Sequence, residues 1–167
     1  METVNPLIFQ FREPIAGEDF VAGVTIRGPV VAVHEDDGEW WFYGVAPSAL
    51  AEGGATVSEA FARMLLAIRT LLMDSAMAAS SFEEFKAIAE RFVGQEDEVE
   101  RARWQVALDA LRSGATLPDA AFDHLPRAEF GKIKCGITVE RLDRQEPTES
   151  AVQEDYSSGL EVFESAA

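Results

Sequence analysis

Four carboxylates crowd one short stretch, Glu35, Asp36, Asp37 and Glu39, around Gly38. Such a run invites a cation, but a calcium loop alternates its ligands over a longer segment closed by a distant Glu. This run is contiguous and short, so it reads as the solvated tip of a hairpin, and no metal is expected there. The two histidines, His34 and His124, lack Cys or His neighbours at zinc-ligand spacing. Nucleophilic catalysis would need a Ser or Cys with a base and an orienting group. The single cysteine, Cys135, sits between Lys134 and Gly136, where the pattern predicts a strand and a small buried side chain. The alternative is an exposed thiol activated by Lys132 and Lys134. No nucleophile elbow, Walker loop or dinucleotide fingerprint is present. Gly53-Gly54 before a helix start could cradle an anion, but without a Lys or a further Gly they read as a turn. No catalytic residue and no cofactor is expected, and the chain reads as non-enzymatic.

Charge points to binding instead. The 167 residues carry 30 acidic and 14 basic side chains, a formal net charge of −16. Residues 136–167 hold eight of those acids and only two of the bases. Such a surface repels nucleic-acid phosphates and anionic lipid and attracts basic proteins. The alternative is that the excess of Asp and Glu serves solubility alone. Basic residues concentrate at Arg101, Arg103 and Arg112, then at Arg127, Lys132 and Lys134. With Glu98 and Glu100 nearby, they read first as a salt-bridge network and second as a phosphate site.

The elements that must position these residues begin with strands. Leu7 to Phe11 is β-rich and is expected to end before Pro14. Phe20 to Ile26 is expected to stop at Gly28-Pro29. Val30–Val33 and Glu39–Val45 then flank the Asp-Gly turn as a hairpin. Within Trp40-Trp41-Phe42-Tyr43, alternation puts Trp40 and Phe42 on one face and Trp41 and Tyr43 on the other. One pair must pack under a helix, and the second needs a cover from the later helices or from a partner.

Thr56-Val57-Ser58-Glu59 is a capping box. It opens a helix whose stripe of Val57, Ala60, Phe61, Met64, Leu65, Ile68, Leu71 and Leu72 suits a core face. Ser81-Phe82-Glu83-Glu84 opens a second helix, carrying Phe85, Ile88, Ala89, Phe92 and Val93 and ending near Gly94. A third helix, Glu96–Arg112, shows Val99, Ala102, Val106, Ala107, Ala110 and Leu111 on one side. Trp104 and Leu108 lie off that stripe, which gives the helix a second surface to offer. Lys132–Leu142 is expected to form another strand. From Asp143 the chain is rich in Glu, Ser and Gln and is expected to be mobile, with Leu160, Val162 and Phe163 able to dock as a short peptide.

From Val30 to Leu72 the order is strand, acidic turn, aromatic strand, then Gly54-Ala55-Thr56-Val57-Ser58-Glu59-Ala60 opening an Ala-rich amphipathic helix. This segment resembles the HicB-like antitoxin domain, whose members show a Gly-x-Thr-x-x-Glu-Ala helix start after a short sheet. The resemblance implies a partial ribonuclease-H-like sheet without catalysis, and a task of occluding a small, basic, RNA-cleaving toxin. Where the family usually has a Pro-Gly-containing segment, this chain has Ala46-Pro47-Ser48-Ala49-Leu50. Its residues 80–167 show no DNA-binding module.

The expectation is therefore an α+β fold: a small antiparallel sheet covered by an amphipathic helix, followed by two further helices and an acidic tail. The segments are 1–79, 80–135 and 136–167. No run is apolar enough to span a membrane, and residues 1–14 do not read as a signal peptide. One cysteine suits a reducing compartment, so the cytoplasm is the expected location. The expected task is binding a basic protein through Glu35, Asp36, Asp37, Glu39, Trp41, Tyr43 and Trp104, with a homodimer also open. The alternatives are a nucleic-acid mimic that inhibits a nuclease, or a structural, oligomeric protein.

Overall fold

The first two strands are far longer than their sequence suggests. In the structure, a computed structural model that describes residues 2–143 and 158–165, β1 spans Thr3–Ala16 and β2 spans Val21–His34. They pair antiparallel along their whole length, from Thr3 opposite His34 to Ala16 opposite Val21. Pro14 and Gly28-Pro29 were expected to stop them and do not. The Pro29 carbonyl accepts from the Val45 N–H at 3.2 Å, on the edge away from β1. A strand residue presents N–H and C=O on the same side, so the N–H that Pro29 lacks would also have pointed away from β1. Pro6 and Pro14 have the same parity as Ile8, which faces Pro29, and they lie beyond the β1 residues that pair on the other edge. All three prolines therefore sit where the ladder does not need them.

Two strands share the outer edge of β2. β3 (Trp40–Gly44) pairs with residues 30–34, and β6 (Gly136–Arg141) pairs with residues 22–27. β4 (Ala51–Gly54) continues the sheet beyond β3, where a loop and a Gly53-Gly54 turn were expected. On the other side, β7 (Gly159–Phe163) pairs antiparallel with β1 and parallel with the two-residue β5 (Arg127–Ala128). The path is β4-β3-β2-β1-β7-β5, with β6 on β2. The fold is α+β, with a sheet of seven strands. Residues 136–167 supply two of its strands, so the segments anticipated from sequence share one sheet. The expected mobile stretch from 144 to 157 lies outside the described residues.

Helices cover both faces. α1 (Val57–Ala78) and α2 (Phe82–Gly94) start at the two anticipated capping boxes. Thr56 Oγ1 accepts from Glu59 N at 3.1 Å, and Ser81 Oγ accepts from Glu84 N at 3.1 Å. α1 buries Ala60, Met64, Ile68, Leu72 and Ala76. With Phe85 and Ala89 of α2 it covers Leu7, Phe9, Phe11, Val24, Ile26 and Phe42 of the sheet. Each fully buried Phe or Leu contributes about 1.5–3 kcal/mol relative to exposure.

α3 (Glu98–Arg112) covers the opposite face, and its orientation corrects the sequence reading. Val99 and Val106, expected inside, are 69% and 70% exposed. Trp104 and Leu108 point inward instead, together with Leu111 of the expected stripe, against Ile8, Val31, Val33 and Phe163. Side-chain size decides this: Trp104 and Leu108 bury more apolar area than the Val and Ala side chains of the expected stripe would. Among the described residues no helix is long and apolar enough to cross a membrane.

Candidate functional site

The β2–β3 hairpin carries the acidic run to the end of the sheet. Gly38 has φ +88°, a left-handed conformation that glycine adopts without strain. Glu35 N donates to Glu39 O and Gly38 N to Glu35 O, both at 2.9 Å. Asp37 Oδ1 accepts from Glu39 N at 3.0 Å and braces the tip. His34 stacks on Trp40 at 4.5 Å, and its Nε2 lies 3.2 Å from Gly38 O, so it shapes the turn.

Because β1 lies beside β2, the start of the chain reaches this tip. Glu2, Glu35, Asp36 and Asp37 together line a cleft of about 330 Å³. Glu39 belongs to the same tip but does not line the cleft. Arg103, from α3, stands behind it. Its guanidinium bonds Glu2 at 3.0 Å and Glu100 at 3.0 and 3.1 Å, and lies 5.5 Å from the centre of the Tyr43 ring. The Tyr43 hydroxyl donates to Glu35 Oε1 at 3.2 Å. Burial, then the Glu35 carboxylate, pushes the Tyr43 pKa above its ordinary value. Trp41 stacks beside Tyr43 with ring centres 6.2 Å apart, and both rings are half-buried. A flat Trp41 also explains Gly53, where a Cβ would fall 2.7 Å from the indole.

Five of the seven expected binding residues thus form one neighbourhood: Glu35, Asp36, Asp37, Trp41 and Tyr43. Glu39 sits at its margin. Trp104 does not belong, because its indole is buried and its Nε1 donates to Leu7 O at 3.0 Å. It holds α3 to the sheet and lines no part of the acidic cleft. Glu2 and Arg103 are the additions, brought in by the β1–β2 pairing and by the true face of α3.

The remaining chemical candidates are placed as follows. Among the described residues, no group of three or more His, Cys, Asp or Glu is arranged to hold a metal ion. Cys135 is exposed and precedes β6, against the expectation of a buried strand residue. β6 begins only at Gly136 because its partner strand reaches Gly28-Pro29, where the Ala46 carbonyl crosses close above Gly28. Although the residue as a whole is exposed, partial burial on its protein side pushes the thiol pKa up, and Arg27 and Arg101 pull it back only in part. That disfavours a thiolate nucleophile at neutral pH.

The basic residues are mostly paired. Arg101 grips Glu96 at 2.9 and 2.7 Å, Arg127 meets Glu164 at 3.0 Å, and Lys132 meets Glu129. Of the two expected acidic neighbours, Glu100 takes part through Arg103, whereas Glu98 has no ion pair among those described. Compared with known proteins, the chain matches no family model, no curated protein and no solved structure at a significant level.

Proposed function

We propose that the protein is a non-enzymatic acidic binding protein that docks a basic protein partner at the hairpin end of its sheet. The observation that carries this reading is the convergence of Glu2, Glu35, Asp36 and Asp37 on one cleft, beside the half-buried rings of Trp41 and Tyr43. Carboxylates beside aromatic faces suit a lysine or arginine, which gains charge-assisted hydrogen bonds from the first and cation–π attraction from the second. The net charge of −16 adds long-range steering of a cationic partner. The HicB-like resemblance of residues 30–72 leads in the same direction, and on that reading the partner is a small RNA-cleaving toxin held inactive. A nucleic-acid mimic would spread its carboxylates along a surface at phosphate-like intervals; concentration at one tip favours point docking.

The test is capture of binding partners from the host by immobilised protein at low salt. Bound proteins should be strongly basic and should elute by about 0.5 M salt, where the screening length falls to a few ångströms. The triple substitution Glu35→Gln, Asp36→Asn, Asp37→Asn should cut capture at least tenfold. Recovery of no cationic protein, or equal capture by the triple variant, would sink the reading.

A further inference from the structure

Between α3 and the second face of the sheet lies a cavity of about 270 Å³ that shares no lining residue with the acidic cleft. Ile8 and Phe163 form its floor, Trp104 and Leu108 its wall, and Phe130 and Ile133 roof it from the loop before β6. Cys135, exposed yet part of the lining, marks the opening. Two guanidiniums border the same space. That of Arg101 lies 5.7 Å from the Trp104 ring centre, and that of Arg112 lies 5.2 Å from the Phe130 ring centre. The aromatic faces hold these cations in place at the rim.

The charges here run against those of the whole chain. Arg27, Arg101, Arg112 and Lys132 pair with Glu161, Glu96, Asp109 and Glu129 in turn. Lys134, next to Cys135, has no ion pair among the described residues, and the two charged residues that line the cavity, Arg101 and Arg112, are both basic. Arg112 is also loosely held, since Asp109 stands 3.7 Å away, beyond hydrogen-bond length, and the side chain is 52% exposed. Its donors are open to a ligand.

We propose that this cavity binds a small amphipathic monoanion, with an apolar body between Trp104, Leu108 and Phe130 and a carboxylate at Arg112 and Arg101. Taking ~30 Å³ for each water-sized group, the space holds about nine such groups, the size of a medium-chain carboxylic acid. A cationic ligand meets repulsion at this rim, and a neutral one leaves the Arg112 donors to water. The site is independent of the acidic cleft and does not rest on the partner reading.

The single cysteine supplies the readout. Alkylation of Cys135 by neutral iodoacetamide should slow saturably as sodium octanoate is added. Arg112→Gln should weaken that protection about tenfold, the loss expected when a charge-assisted hydrogen bond is removed. Ile133→Trp should fill the cavity and abolish protection, with an unchanged unfolding temperature showing that the fold persists. No protection by octanoate at millimolar concentrations would overturn the site. Equal protection by 1-octanol would overturn its preference for an anion, and full protection of Ile133→Trp would show binding elsewhere.

Discussion

At the scale of single residues, Tyr43 joins the two halves of the candidate site. Its hydroxyl donates to Glu35 while its ring lies under Arg103. Its pKa is raised in the folded protein, first by burial and then by the Glu35 carboxylate. A raised pKa means that the folded state holds the phenolic proton more tightly. The corresponding stability is present below the free tyrosine value of about 10 and is lost as pH rises through the folded value. Urea unfolding midpoints should therefore fall above pH 10, and Tyr43→Phe should flatten that fall. An equal decline in the variant would remove Tyr43 as its source. Among these residues, the local part of the site was legible: Glu35, Asp36 and Asp37 flank an Asp-Gly turn, and period-two alternation placed Trp41 with Tyr43. Glu2 and Arg103 were not, because 101 positions separate them and only tertiary pairing unites them.

At the scale of elements, the crossing above Gly28 controls how β2 serves two neighbours. The segment after β3 passes so closely that a Cβ at Gly28 would lie 2.2 Å from the Ala46 carbonyl oxygen and 3.0 Å from the Phe9 ring. The same segment is fastened to the α2–α3 link, since Ser48 N donates to Gln95 O and Asp97 N to Val45 O, each at 2.9 Å. It has little room to retreat. Gly28→Ala should cost about 1–3 kcal/mol in urea unfolding, the usual range for overpacking a filled interior. An unchanged midpoint would show that the crossing segment yields freely. Gly28 was expected as a strand end because Gly-Pro is a turn signal. The tertiary environment reverses that signal by placing Pro29 in the gap between the β3 and β6 pairings and Gly28 under an overlying chain. Helix starts were legible because Thr56 and Ser81 act on groups three residues away. The buried face of α3 was misread because apolar count outweighed apolar size.

At the scale of the molecule, negative charge outweighs the ion pairs that answer it. The described ion pairs are mostly surface contacts of small individual worth, such as Lys86–Glu90 at 4.0 Å and Arg112–Asp109 at 3.7 Å. Repulsion among the remaining carboxylates of a chain at −16 opposes compaction. Raising sodium chloride from 0.02 to 0.5 M should therefore raise the unfolding temperature by a few degrees, as screening relieves more repulsion than attraction. A fall would show that the ion pairs dominate.

The position of β7 also bears on the order of assembly. β1 is made first, yet one of its two sheet neighbours is β7, whose Leu160 and Val162 are 5% and 1% exposed once in place. At roughly 5–20 residues per second, β1 and β2 can pair many seconds before β7 leaves the ribosome. During that interval the outer edge of β1 stands open beside Leu7 and Phe9, the kind of strand edge that recruits other chains. The nascent protein thus passes through a period of exposure that ends only when nearly all of the described chain has been synthesised.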